Sequence, residues 1–246
     1  MTTLQPETTV AEIAANSLAA IGVFERLGID YCCGGKRPLA DVCQAKGYRL
    51  AEVERELESA SAIADAPATD WNTAPIPALI DHIVETHHVY LKREMPLLSA
   101  RAEKVHRVYA ERRPGELDGL PEVFDQLRAE LDMHLMKEEM ILFPAIKAKV
   151  KELDSGIAAP PTCFGTLASP IAAMEYEHEE AGAALARIRE ITNDFAIPDY
   201  ACATYRALIL GLEEFERDLH RHIHLENNIL HPRALSLIKT PEHRNA

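Results

Sequence analysis

Apolar residues in this chain recur three and four positions apart, and alternating runs are hard to find. Ile76, Ile80, Ile83 and Leu91 trace one such stripe, the spacing of a helix that buries a single face. Four long amphipathic helices are predicted, over about 75–110, 119–151, 169–193 and 199–238. Breaks separate them at Arg113-Pro114-Gly115, at the stretch holding Gly156, Pro160, Pro161 and Gly165, and at Asn193 to Pro198. Ser169-Pro170 reads as a cap followed by proline at the first helical position. Four helices joined by loops of this kind predict an all-α fold, an up-down-up-down bundle.

The first 60 residues follow a shorter rhythm. Thr9-Val-Ala-Glu12 has the form of a capping box,. Apolar positions continue through Ala14, Leu18, Ile21 and Leu27, with a break near Asn16-Ser17 and a stop at Gly28,. Asp30-Tyr31-Cys32-Cys33-Gly34-Gly35-Lys36 is a tight loop by its paired glycines,. Helices are expected from Pro38 to Gly47 and over about 51–60. The division that follows is a small helical domain at 1–60, a linker of small and polar residues at 61–74 and the bundle at 75–238. A domain that small is marginal by itself, so it is expected to lean on the rest of the chain or on a second subunit.

Charge narrows the partners. Acids outnumber bases 39 to 26, for a net charge of −13 over 246 residues. Such a surface repels nucleic acid and anionic lipid. The start of the chain lacks the basic and apolar segments of a signal peptide, and no apolar run approaches the ~20 residues of a membrane span. Cys32, Cys33, Cys43, Cys163 and Cys202 are an odd number at irregular spacing. That pattern speaks for a reducing cytoplasm and against a disulfide framework.

The chemistry lies in a repeat. Residues 134–144 read HLMKEEMILFP and residues 222–232 read HIHLENNILHP. Both carry a His, a Glu four residues on, Ile-Leu, and a proline. Four residues along a helix turn a side chain by only about 40° and advance it roughly 6 Å, so His134 with Glu138, and His222 with Glu226, point the same way. A single His-x-x-x-Glu is common by chance; two copies sharing an Ile-Leu-x-Pro tail are not. Pro144 and Pro232 should kink or interrupt the helix at the same place in each copy.

Each copy is preceded by a helix with a candidate histidine: His178 on the third, and either His87 or His88 on the first. The apolar stripe centres nearer His87, and spacing leaves the choice open. His82, His106 and His243 read as packed or solvated. His220 and His224 are turned about 200° from His222 and read as surface groups or as supports from outside the ligand set. His231 stands where the first copy has Phe143 and is expected to pack near the kink. Glu130 and Glu177 are acids near the expected core, either supports for the ligands, an ion path, or ordinary helix-surface groups. Imidazoles and carboxylates without sulfur suit iron, manganese or zinc. Two carboxylates able to bridge inside a four-helix bundle favour a di-iron or di-manganese centre.

The vicinal pair Cys32-Cys33 has two readings: thiols that pack a turn, or a redox or iron-handling pair. Neighbouring glycines would leave sulfur exposed, and Lys36 would favour thiolate. A relaxed disulfide between adjacent cysteines is geometrically poor.

Taken together, the DYCCGGK loop, His134 to Pro144, Met174-Glu-Tyr-Glu-His178-Glu-Glu-Ala-Gly182 and His222-Ile-His-Leu-Glu226 resemble the iron–sulfur cluster repair di-iron proteins, the RIC or ScdA type. The resemblance spans about residues 8 to 236. It implies an N-terminal ScdA-type domain, a hemerythrin-like bundle, two iron ions, cytoplasmic location and frequent homodimers. It also implies a role in restoring iron–sulfur proteins damaged by nitric oxide or peroxide. The family's first-helix ligand follows an Asp-His by six residues and precedes a proline by eight, which selects His88. Its vicinal cysteines match Cys32 and Cys33, and its channel glutamates match Glu130 and Glu177. Oxygen-carrying hemerythrins have a further His where this chain has Gly182, which implies a more open, more labile centre. Iron supply to damaged clusters is the leading expectation. Reduction of nitric oxide at the paired metals, and oxygen or iron sensing, are the alternatives.

Overall fold

The computed structural model describes residue 5 and residues 7–63, 69–158 and 164–239. Part of the expected linker, Pro160, Pro161, Cys163 and His243 lie outside the described residues. Among the described residues the secondary structure is helical, apart from one isolated bridge between Thr9 and Pro38. No helix among them is long and apolar enough to cross a membrane. The chain forms two compact units, Met1–Leu79 with His220–Ala246, and Ile80–Leu219.

In the first unit, α1 (Val10–Asn16) opens as its sequence requires. The Thr9 hydroxyl accepts from the Glu12 amide at 3.2 Å, and the Glu12 carboxylate accepts from the Thr9 amide at 2.8 Å. Ser17 closes α1 and caps α2 (Leu18–Leu27), which ends on the left-handed Gly28. Helix α3 (Leu39–Lys46) stops at left-handed Gly47, and α4 (Leu50–Ile63) packs back on α2. Val10, Phe24, Tyr31 and Cys43 are almost wholly buried. The same unit contains the end of α10 (Ala203–His224), a π-helical segment π3 (Leu225–Leu230) against which α1 packs, and α11 (His231–Lys239). Arg233 donates to the carbonyls of Trp71 and Ala74, both at 2.5 Å.

The second unit is built from long helices. After α5 (Ile76–His82) and π1 (Ile83–His88) come α6 (Val89–Ala110), α7 (Leu120–Lys137), π2 (Glu138–Leu142), α8 (Phe143–Ser155), α9 (Ala168–Ile191) and most of α10. Helix α7 packs on both α6 and α9. Phe124 of α7 meets Phe215 of α10 edge to face, with centroids 5.4 Å apart. Helices α6 and α10 approach so closely at Gly211 that a Cβ there would stand 2.8 Å from Leu98 Cδ2. The Arg189 guanidinium on α9 grips the buried carboxylate of Glu216 on α10 with three contacts of 2.6–2.9 Å.

The prolines of the repeat do not break their helices. Each follows a wider turn instead. The Phe143 amide bonds to the Glu138 carbonyl, and the His231 amide to the Glu226 carbonyl. Both bonds reach back five residues, one position before Pro144 and Pro232. Proline has no N–H to offer the carbonyl four residues earlier and its ring crowds that carbonyl. A π turn, with its extra residue, relieves both problems while the helix continues. A third π turn, closed by the Val89 amide on Val84, ends at His88.

Candidate metal centre

The π turns stand where the candidate ligands stand. His88 is the last residue of π1, Glu138 the first of π2, and Glu226 lies in π3. His134 lies one turn before Glu138, His178 sits mid-way along α9, and His222 is near the end of α10. All six are buried to within 2% of full enclosure. They fall into two groups, His88, Glu138, His222 and Glu226, and His134, Glu138, His178 and Glu226. Each group can offer one ligand atom per residue with all of them within 4.8 Å of one another.

Glu138 is the informative member. Its two oxygens face different imidazoles: Oε2 stands 3.4 Å from His88 Nε2, and Oε1 stands 3.3 Å from His134 Nε2. Neither oxygen accepts a hydrogen bond. A buried carboxylate with no donor is costly, and a cation on each side would remove the cost. His178 Nε2 lies 3.0 Å from His134 Nε2, and His222 Nε2 lies 3.1 Å from Glu226 Oε1. Nitrogen and oxygen donors without sulfur fit a divalent transition metal.

The outer nitrogens of two imidazoles are tied down. His88 Nδ1 is 2.8 Å from Glu139, whose carboxylate also takes Lys92 Nζ at 2.6 and 2.7 Å. His134 Nδ1 is 2.8 Å from Glu177, which also takes Lys137. The hydrogen bond from His134, then that from Lys137, outweigh burial and hold the Glu177 carboxyl down at about 2. Glu139 is likewise lowered, by Lys92 and His88, against its own burial. Glu139 went unnoticed in the sequence because an acid on an exposed helix face is ordinary; its position beside Glu138, matching Glu177 beside His178, was the available signal.

The remaining candidates have other surroundings. His87 is buried with Nδ1 3.0 Å from Asp218 and its ring edge-on to His82, so of the two neighbours it is His88 that faces Glu138. Glu130 is exposed and accepts from Gln126 at 3.0 Å. His231 is buried. His224 is buried too, 2.8 Å from the Asn228 amide, and burial pushes its imidazole down to about 4. The rings of His220 and His224 stand against Tyr31, with centroids 6.3 and 5.5 Å from it.

The thiol loop is organised by Asp30. Its Oδ1 accepts from the Cys32 and Cys33 amides at 2.9 and 3.0 Å, and its Oδ2 from the Gly34 amide at 2.8 Å. The two sulfurs are 3.7 Å apart and unbridged. The expected exposed, thiolate-favouring pair is corrected for Cys32. That residue is buried, and the hydrogen bond with Cys33, then burial, then the charges of Cys33 and Asp30 push its thiol well up. Cys33 is half-buried.

Comparison with known proteins agrees with this architecture. Residues 79–234 match the hemerythrin HHE cation binding domain, and residues 6–61 match ScdA_N, described as a domain of unknown function (DUF542). The chain is 38% identical over 228 residues to the iron-sulfur cluster repair protein YtfE of Citrobacter koseri, covering 92% of this chain and 96% of that one. It is 39% identical to the same-named protein of Escherichia coli O81 and 38% identical to that of Escherichia fergusonii, over the same shares. An all-α chain that joins a ScdA_N domain to a hemerythrin-type, metal-binding bundle, it belongs to the iron–sulfur cluster repair protein family.

Proposed function

We propose that this protein restores iron–sulfur proteins damaged by nitric oxide or peroxide, supplying or exchanging iron from a di-iron centre. The observation that carries the reading is Glu138, buried, without a hydrogen-bond donor, and presenting one oxygen to His88 and the other to His134. In this reading His88 and His222 would hold one iron and His134 and His178 the other, with Glu138 and Glu226, which belong to both ligand groups, available to each. Iron held there supplies a redox-active cation that exchanges more readily than one caged by a further imidazole at position 182.

The chain's own groups do the rest. The burial of all six groups keeps bulk water away from the pair. Glu139 and Glu177 fix the rings of His88 and His134 and hold a proton at each Nδ1, leaving each Nε2 turned inward. Cys32 and Cys33 take part as iron-transfer or redox thiols, with the half-buried Cys33 the more accessible to a client. The partners are damaged iron–sulfur proteins, with nitric oxide and oxygen as small-molecule ligands. The setting is the cytoplasm and the active form a homodimer, with the division into 1–60, 61–74 and 75–238 describing its working parts.

The test replaces both shared carboxylates. Glu138→Leu with Glu226→Leu should reduce iron from two per chain to none. It should also abolish reactivation of a cluster-dependent dehydratase inactivated by nitric oxide. Retention of two iron ions per chain by that variant would sink the assignment.

A further inference from the structure

The two imidazole–carboxylate–lysine arrangements around the centre are separate in every part. His88, Glu139 and Lys92 come from π1, π2 and α6; His134, Glu177 and Lys137 come from α7, α9 and α7. No residue is common to both. Each begins at a histidine belonging to a different ligand group, His88 in one and His134 in the other. Each ends near water: the Lys92 side chain is 49% and the Lys137 side chain 34% exposed, while the two imidazoles are 1% and 3% exposed. Each carboxylate is held from both ends, by the ring within and the ammonium without.

We propose that Lys92–Glu139 and Lys137–Glu177 are two independent positioning relays, each governing how long one of the two metal ions is retained, through one imidazole. The proposal rests on the metal-binding reading above and goes beyond it by giving the two ions separate controls. The physical link is the ring nitrogen. A carboxylate that accepts from Nδ1–H fixes the tautomer and orientation in which Nε2 can ligate and raises its basicity. The lysine keeps that carboxylate at the ring and prevents its swinging out to water. Loss of a lysine therefore weakens one ring as a ligand and leaves the other group as it was. A client carboxylate or phosphate that captured Lys92 or Lys137 would loosen one ion without dismantling the pair.

Outer-sphere partners of this kind contribute about 10–100-fold in metal affinity, so the effect is large enough to measure. Full-length protein is loaded anaerobically with ferrous iron, and release to a ferrous chelator is followed in time. Wild type should release two iron ions per chain. Lys92→Met and Glu139→Gln should each accelerate one of the two by about 10–100-fold, and Lys137→Met and Glu177→Gln should accelerate the other. Lys92→Met with Lys137→Met should accelerate both, and Lys92→Arg and Lys137→Arg should restore slow release. The helical circular dichroism signal should match wild type throughout. A wild-type chain that takes up no iron removes the metal reading and the relays with it. A wild-type chain that binds two ions, with all four single variants releasing them at the wild-type rate, overturns the relays alone. Acceleration of both ions by each single variant overturns their independence.

Discussion

Asn228 donates its side-chain amide to the main-chain carbonyl of Tyr31 at 2.9 Å, joining the helix that carries His222 and Glu226 to the residue just before Cys32. Two further contacts close the same bracket. The Tyr31 ring packs on His224, and its hydroxyl donates to Glu25 at 3.1 Å, a carboxylate that Arg221 holds with contacts of 2.8 and 2.9 Å. The thiol loop is thus fastened beside the positions immediately before His222 and two after Glu226. Asn228→Ala removes the contact with His224 and, with it, the hydrogen bond that holds Tyr31, which contributes about 1 kcal/mol,. Alkylation of Cys32 under native conditions should then speed up by about fivefold, that energy expressed as an equilibrium ratio. Mass spectrometry of timed samples reads the rate; an unchanged rate would show that the bracket does not hold the loop.

Gly35 permits a backbone approach that no side chain allows. A Cβ at that position would stand 2.5 Å from the Tyr31 carbonyl oxygen and 3.0 Å from Ala11 Cβ. Gly35→Ala should therefore cost about 1–3 kcal/mol through forced displacement of the loop. Gly22, in the exposed middle of α2, has open space around it. Gly22→Ala should raise stability by about 0.5–1 kcal/mol. Chemical denaturation of the two variants should move the midpoint in opposite directions.

The capping box at Thr9 ties stability to pH. The backbone and side-chain hydrogen bonds from Thr9 lower the Glu12 carboxyl below its usual range. A group depressed in the folded state adds stability above its unfolded value, near 4.3, and that stability is lost as pH falls through the lower folded value. Thr9→Ala should cost about 1 kcal/mol at neutral pH. The gap between variant and wild type should narrow below about pH 4, as seen in denaturation midpoints across pH.

Arg189 is the counter-charge of a nearly buried acid. The Glu216 side chain is only 5% exposed and receives three contacts from that guanidinium. Arg189→Met would leave the carboxylate enclosed without a cation; because the guanidinium itself is 38% exposed, the loss should be about 1–3 kcal/mol, the cost of an unsatisfied buried acceptor,. Adding Glu216→Leu should recover much of it, because two apolar groups can replace a buried ion pair at little cost. Urea unfolding of the single and double variants gives the comparison.

The sequence made the all-α plan, the capping box, the stops at Gly28 and Gly47 and the doubled His-Glu spacing legible, because each is written in local spacing or in one residue's backbone preference. Spacing alone left His87 and His88 open, and it was the family motif that selected His88. Ile76, Ile80 and Ile83 extrapolate to position 87 at 3.6 residues per turn, but the π turn at Ile83–His88 spends one more residue and brings His88 to face Glu138. Glu139 and Lys92 escaped for a different reason. Their roles depend on meeting across two helices, and a Glu or Lys on a helix surface carries no mark of the partner it will meet.

The turn at Glu138–Leu142 also has a bearing on length. It accommodates one residue more than an α-helix of the same rise, and α8 begins directly after it. Deleting a single residue there would let an unbroken α-helix form without changing which way the following residues face, and Ile146 would keep its place in the core,. Pro144, however, would then meet the carbonyl four residues before it, which has no room for its ring. A one-codon loss at this point would therefore leave the facing of the helix intact and remove the slack that its proline needs.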